Sequence, residues 1–210
     1  MIEPTACAVH AAGLVGSAAT VAVIGAGTLG LLTVAALRSS GHVGSIVATA
    51  RYPEQKELAA ALGADLVVAP DELRRAVRTA TGSFMVGDQL SGGFDVVVDC
   101  VGSGDSIVQA LSVVSPGGDV LLVGMPAPVR LDLTPLWHRE TSLRGSYAYD
   151  RTDFETAAVL VGSADLGRLV SATYPLARYT EAIEHAANAG RRGAVKIAFD
   201  LRTEKERDRL

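Results

Sequence analysis

Aromatic residues make up only 5% of the 210-residue chain, and cysteine occurs twice, at Cys7 and Cys100. The two cysteines lie far apart and form no CxxC pair, so a zinc ribbon is excluded. A disulfide framework is not expected, and the chain fits a reducing cytosol; the expected location is the cytoplasm. There is no basic excess: the net charge is −4, which argues against broad electrostatic binding to nucleic acid or anionic lipid. The first residues hold Glu3 and no Lys or Arg, so they lack the basic leader of a secretory signal. The four histidines, His10, His42, His138 and His185, are scattered and form no H-x-x-x-H pair or Cys/His cluster. His10 reads as a packed or surface residue on a helix leading into the first strand, and His138, beside Trp137, as a residue of a subunit interface. No internal repeat or low-complexity linker is present.

What is abundant is aliphatic. Hydrophobic residues are 49% of the chain, and the stretch from Leu14 to Leu37 carries no charge. That run is long enough to cross a bilayer, but Gly16, Gly25, Gly27 and Gly30 interrupt it. The alternative is a buried strand, "TVAVIG", followed by a turn and a packed helix from about Leu29 to Arg38. Further runs repeat this alternation. "GSIVATA" reads as a strand, and "PEQKELAAAL" as an amphipathic helix opened by Pro53 and closed by Gly63. "ADLVVAP" reads as a strand and "DELRRAVRTATG" as a polar helix. "FDVVVDCVG" (94–102) and "GDVLLVG" (118–124) read as buried strands. Between them lies a helix around "DSIVQALSVVS", with Pro116-Gly117-Gly118 expected to end it. Alternating strands and helices predict an α/β fold, a doubly wound parallel sheet of Rossmann type. Near the end, "PLARYTEAIEHAANAGRRGAVKIAFD" predicts a helix followed by a strand, and 201–210 a charged, solvated tail.

Gly25-Ala26-Gly27-Thr28-Leu29-Gly30 is a G-x-G-x-x-G between the first strand and its helix. The first glycine permits the tight turn, the second lets a pyrophosphate approach the backbone, and the third lets helix and strand pack closely. The helix N-terminus then offers free N–H groups to phosphate. A glycine-rich turn without a ligand is the competing reading. Twenty residues after Gly30, where an NAD site carries an acid for the ribose hydroxyls, stand Ala50, Arg51 and Tyr52. Without that carboxylate nothing there repels a 2′-phosphate, and a guanidinium binds one with two parallel hydrogen bonds. The pattern favours NADP(H) over NAD(H), with Tyr52 against the adenine ring; the competing reading of Arg51 is an ordinary surface arginine.

The ordered motifs "EPTACAVHAA", "VAVIGAGTLGLL", "ELAAALGAD", "FDVVVDCVG", "SPGGDVLLVG" and "GAVKIAFD" resemble the medium-chain dehydrogenase/reductase superfamily. The zinc-type alcohol and polyol dehydrogenases are the nearest branch, since the zinc-free quinone reductases carry a Gly-Gly pair in this loop. The resemblance implies that Gly25, Gly27, Thr28, Leu29 and Gly30 cradle the pyrophosphate. It implies that the turns Cys100-Val101-Gly102 and Val123-Gly124-Met125 meet the ribose and nicotinamide, and that Lys196 lies near the cofactor phosphates. It further implies a homodimer through an edge strand within 131–149.

A complete member carries a separate zinc-binding catalytic domain of about 150 residues, a common domain size. The present chain is expected to lack it. Residues 1–17 would be the remnant of its linker helix, 18–150 the nucleotide-binding core, and 151–200 C-terminal helices and a return strand that belong with the absent domain. Only Glu3, in its "EP" step, resembles a zinc-proximal position. A catalytic zinc needs three protein ligands, so no metal is expected here and zinc only in a full-length member. Two other readings remain open: a nucleotide-binding module completed by a partner chain, and an S-adenosylmethionine methyltransferase, whose glycine loop would need glycine where Leu29 stands.

Overall fold

The computed structural model describes residues 1–87, 89–125 and 128–202. Helix α1 (Ile2–Val15) leads into strand β1 (Ala18–Ile24), helix α2 (Thr28–Ser40) and strand β2 (Val43–Thr49). Helix α3 (Pro53–Ala61), strand β3 (Leu66–Val68), a 3₁₀ turn at Pro70–Glu72 and helix α4 (Leu73–Thr81) follow. A small hairpin, β4 (Met85–Val86) and β5 (Gln89–Leu90), precedes strand β6 (Phe94–Asp99), helix α5 (Gly104–Val113) and strand β7 (Val114–Leu122). The chain continues through helix α6 (Thr134–His138), strand β8 (Ser142–Gly145) and helix α7 (Arg151–Ser163). Strand β9 (Val170–Pro175), helix α8 (Tyr179–Ala187) and strand β10 (Lys196–Asp200) complete it.

Six strands form one parallel sheet in the order β3-β2-β1-β6-β7-β8. The chain winds outwards from β1 in one direction and then from β6 in the other. That reversal leaves a crevice at the carboxyl ends of β1 and β6, where doubly wound sheets bind ligands. Side-chain alternation builds a core on each face. Val21, Val23, Val96 and Val98 pack with Leu31, Leu32, Leu37 and Leu160 on one face. Ala22, Ile24 and Val97 pack with Leu73, Val77, Phe94 and Ile107 on the other. The uncharged run is therefore β1, a turn and α2, and no helix among the described residues is long and apolar enough to cross a membrane.

Two expectations differ from the structure. Helix α5 ends at Val113, and Val114 already lies extended in β7, so Pro116-Gly117-Gly118 sit inside the strand. Proline disfavours the helical conformation of the residue before it, and the β-branched pair Val113-Val114 prefers extended backbone. The irregularity is absorbed by a register shift against β6 between Phe94 and Val96. The C-terminal segment is also larger than a helix and a strand. β9 and β10 pair in parallel as a sheet of their own, with α8 between them in sequence. Of the expected charged tail, residues 203–210 lie outside the described residues.

Helix α1 is tied to α7 by His10, whose Nδ1 lies 2.8 Å from Asp153 Oδ2. Asp153 also completes the α7 cap, its backbone N–H donating to Asp150 Oδ1 at 2.8 Å while its carboxylate accepts from the Asp150 N–H. His10 is thus a packed, paired residue, as its sequence context implies.

Candidate nucleotide-binding site

Two of the three glycines in the turn, Gly25 and Gly30, stand where contacts leave no room for a side chain, whereas Gly27 faces open space. Gly25 has φ +93, and its N–H donates to Thr49 Oγ1 at 2.9 Å, joining the ends of β1 and β2. A Cβ on Gly30 would stand 1.7 Å from the Gly25 carbonyl oxygen, and one on Gly25 would stand 2.4 Å from the Val101 side chain. Helix α2 starts at Thr28 with no side-chain cap, so its first N–H groups face outward unsatisfied. Thr28 spends its hydroxyl elsewhere, donating to the Val195 carbonyl at 3.1 Å.

Two cavities flank this turn. The first, about 450 Å³, is bounded by Gly25 and Gly27, by Thr49, Arg51 and Tyr52 after β2, and by Asp71 before α4. Val101 and the start of α5 close its other side. The second, about 780 Å³, lies beyond Thr28 and Leu29 and is bounded by Val123, Gly124, Met125 and Lys196. Glu3, Pro4 and Cys7 of α1 and Tyr147 after β8 also line it.

The remaining candidates sit behind the cavity walls. Ala50 is 2% exposed and faces the aliphatic core, so it offers nothing to a ligand except the absence of an acid. Gly102 is pressed against Met125, whose carbonyl oxygen a Cβ there would approach to 2.6 Å. Cys100 lies under the turn with its thiol toward Thr33 Oγ1 at 3.6 Å, and burial pushes that thiol up to about 12 despite the Thr33 hydrogen bond. It is a small packing residue and not a nucleophile.

The residue that organises the site is Asp99, the fully buried last residue of β6. Its carboxylate accepts from the Val101 N–H at 2.9 Å, from the Gly102 N–H at 3.3 Å and from Ser106 Oγ at 2.9 Å. Its carbonyl accepts from the N–H groups of Val123 and Gly124, each at 2.9 Å. Both turns that the resemblance assigns to the ribose and nicotinamide therefore hang on one residue. An acid closing an apolar strand was the available sequence signal. Thr49, Asp71, Gln109 and Tyr147 gave none, because the crossovers alone bring them to the cavities.

Arg51 is exposed and makes no hydrogen bond or ion pair among the described residues. Tyr52 lines the same cavity, and its ring packs on the Gly190 backbone, where a Cβ would come within 2.2 Å. The carboxylate missing at Ala50 is not missing from the cavity as a whole, since Asp71 and Asp105 line it too. For zinc the donor set does not fit. Glu3 Oε1 and Cys7 Sγ lie 3.7 Å apart, but no group of three His, Cys, Asp or Glu side chains that could hold a metal occurs among the described residues. Of the other histidines, His185 Nδ1 lies 2.9 Å from the Tyr174 hydroxyl, whereas His42 and His138 are exposed, His138 beside the exposed Trp137 with ring centroids 6.5 Å apart.

Known proteins share this arrangement. The D-xylulose reductase of Scheffersomyces stipitis is 29% identical over 95% of this chain and 56% of its own length. The L-idonate 5-dehydrogenase of Escherichia coli superposes with a TM-score of 0.79 at 29% identity, over 93% of this chain and 54% of that one. A Sinorhizobium meliloti protein assigned to the zinc-binding dehydrogenases, crystallised bound to NADP, gives a TM-score of 0.75 at 25% identity over 95% and 58%. The chain spans about half the length of the curated relatives it matches. A family profile described as zinc-binding dehydrogenase matches residues 28–163, from helix α2 through α7, and the chain belongs to that family.

Proposed function

We propose that this chain is the NADP(H)-binding half of a zinc-type alcohol or polyol dehydrogenase. The observation that carries the reading is an unpaired Arg51 on the cavity beside the glycine turn, at the end of β2 where an NAD site keeps an acid. The pyrophosphate would lie on the free N–H groups of α2 at Gly27–Gly30, and the 2′-phosphate on the Arg51 guanidinium. The Val123–Met125 turn would carry the nicotinamide toward the second cavity, where Lys196 adds positive charge near the phosphates. When bound, the cofactor supplies a hydride-accepting nicotinamide carbon for an alcohol substrate. The chain's own residues bind and orient it, and Asp99 fixes both turns that meet it. We assign residues 18–150 to the nucleotide core and α1 with 151–200 to the side that meets a catalytic half. The open edge of β8, within 131–149, is the surface for a homodimer.

Among the described residues Glu3 and Cys7 bring together two donors where a catalytic zinc needs three protein ligands. That supports the narrower reading of a cofactor-binding unit completed by further protein carrying the metal ligands. Family membership replaces the methyltransferase alternative. Calorimetric titration is the test. NADPH is expected to bind at least about tenfold tighter than NADH, and Arg51→Ala to remove the difference, as loss of charged hydrogen bonds worth ~1.5–3 kcal/mol would. The chain alone should oxidise no simple alcohol. Tighter binding of NADH, or turnover by the isolated chain, sinks the proposal.

A further inference from the structure

We propose that Asp71 reads the amino edge of the adenine base, so that the site selects a 6-aminopurine over a 6-oxopurine dinucleotide. The inference rests on the NADP(H) reading above and goes beyond it, because neither the glycine turn nor Arg51 distinguishes one purine from another. With the pyrophosphate on the glycine turn and the 2′-phosphate on Arg51, we place the base against Pro70, Asp71 and Gln109, which line the same cavity.

The turn bearing Asp71 is fixed on every side but one. Proline pins the backbone at Pro70, and the Gln109 side-chain amide donates from α5 to the Pro70 carbonyl. Glu72 reaches back to accept from the Ala69 N–H at 2.9 Å, and its own N–H donates to the Ala69 carbonyl at 3.0 Å. Asp71, between them, lines the cavity and makes no hydrogen bond or ion pair among the described residues. Its neighbours' polar groups are consumed in shaping the turn; its own are left to face a ligand.

A carboxylate offers acceptors and no donor. Of the groups on a purine's six-position, an exocyclic amine donates and is attracted, whereas a carbonyl oxygen is another acceptor and is repelled. The Gln109 amide, having turned its N–H toward Pro70, leaves its oxygen as the free end, and that oxygen is likewise an acceptor. The lining at Asp71 and Gln109 is therefore acceptor-rich, and it favours adenine where it meets the six-position from the N7 side, away from the N1–H donor that a 6-oxopurine carries. In this arrangement Asp71 and Arg51, which line one cavity, serve opposite ends of one nucleoside, so that the carboxylate need not oppose the 2′-phosphate.

The experiment compares NADPH with its 6-oxo counterpart, reduced nicotinamide hypoxanthine dinucleotide phosphate, by calorimetry on the 210-residue chain and on Asp71→Asn and Asp71→Ala. The native chain should bind NADPH about tenfold tighter than the 6-oxo analogue, the size of one charge-assisted hydrogen bond at a partly solvated site. Asp71→Asn, which can donate to the carbonyl, should bring the two within about twofold, and Asp71→Ala should do the same by weakening NADPH and relieving the repulsion of the 6-oxo analogue. Equal binding of the two dinucleotides by the native chain overturns the inference while leaving the NADP(H) reading standing, as does a preference that survives in both variants. Failure of the native chain to bind NADPH at all overturns both.

Discussion

The two cavities on either side of the glycine turn are built differently. The first is walled by groups that hold one another: Thr49 accepts from Gly25, Asp99 from Val101 and Gly102, and Pro70 from Gln109. Asp71 stands on a turn already held by Gln109 and Glu72, and backbone ordered in advance lowers the entropic cost of binding. The second is walled by side chains that hold little. Met125 and Tyr147 are each 92% exposed, and the Glu3–Cys7 contact is a long one. Apolar surface of that kind is costly in water and is relieved by anything that covers it. The contrast separates two tasks. One cavity is shaped by its own hydrogen bonds; the other leaves its lining side chains open to whatever covers them.

The severest way to break the contrast is Gly30→Ala. The new methyl meets a backbone oxygen that no rotamer can move aside, so both cavities lose their shared wall. We expect NADPH binding to vanish and stability to fall by ~3 kcal/mol, read from the midpoint of urea unfolding. Native affinity in that variant would mean the turn is not the phosphate site.

Asp99→Ala sharpens the comparison. The side chain serves the Val101–Gly102 turn of the first cavity, whereas the main-chain carbonyl, retained in alanine, serves Val123 and Gly124 beside the second. The variant should lose ~2 kcal/mol through donors left without an acceptor. Its affinity for 2′,5′-ADP, which lacks the nicotinamide half, should fall as much as that for NADPH. A loss confined to NADPH would place the damage in the second cavity.

The smallest effect concerns Cys100, beneath both cavities. Its thiol is raised by burial from the ordinary 9.0 to about 12, so the folded chain holds that proton after the unfolded chain has released it. The resulting stability is present below about pH 9 and is lost as pH climbs toward 12. At neutral pH, Cys100 should resist alkylation in the native state and react on unfolding, as mass spectrometry would show. The alkaline fall in unfolding midpoint should be shallower in Cys100→Ala. Rapid alkylation of native Cys100 would contradict its place under the turn.

How legible the molecule was in its sequence depends on whether a feature is local. The glycine turn is six consecutive residues between a strand and a helix, and Arg51 follows at a fixed interval, so both could be read directly. The two-faced core was equally plain in Val21 to Ile24 and Val96 to Val98, where continuous β-branched runs mark strands covered on both sides. Pro116 misled because proline marks a boundary without saying on which side the helix has already ended. Asp71, Gln109 and Tyr147 were invisible for another reason. Each comes from a different crossover, and only the order β3-β2-β1-β6-β7-β8 sets it beside the turn.

The Thr28 hydroxyl joins the glycine turn to the Val195 carbonyl at the approach of β10, and Lys196 follows immediately. Glu3 and Cys7, from α1, line the same cavity as Lys196. Helix α1 and strand β10 thus open onto a single rim, and one hydrogen bond passes any shift of β10 to the first residue of α2.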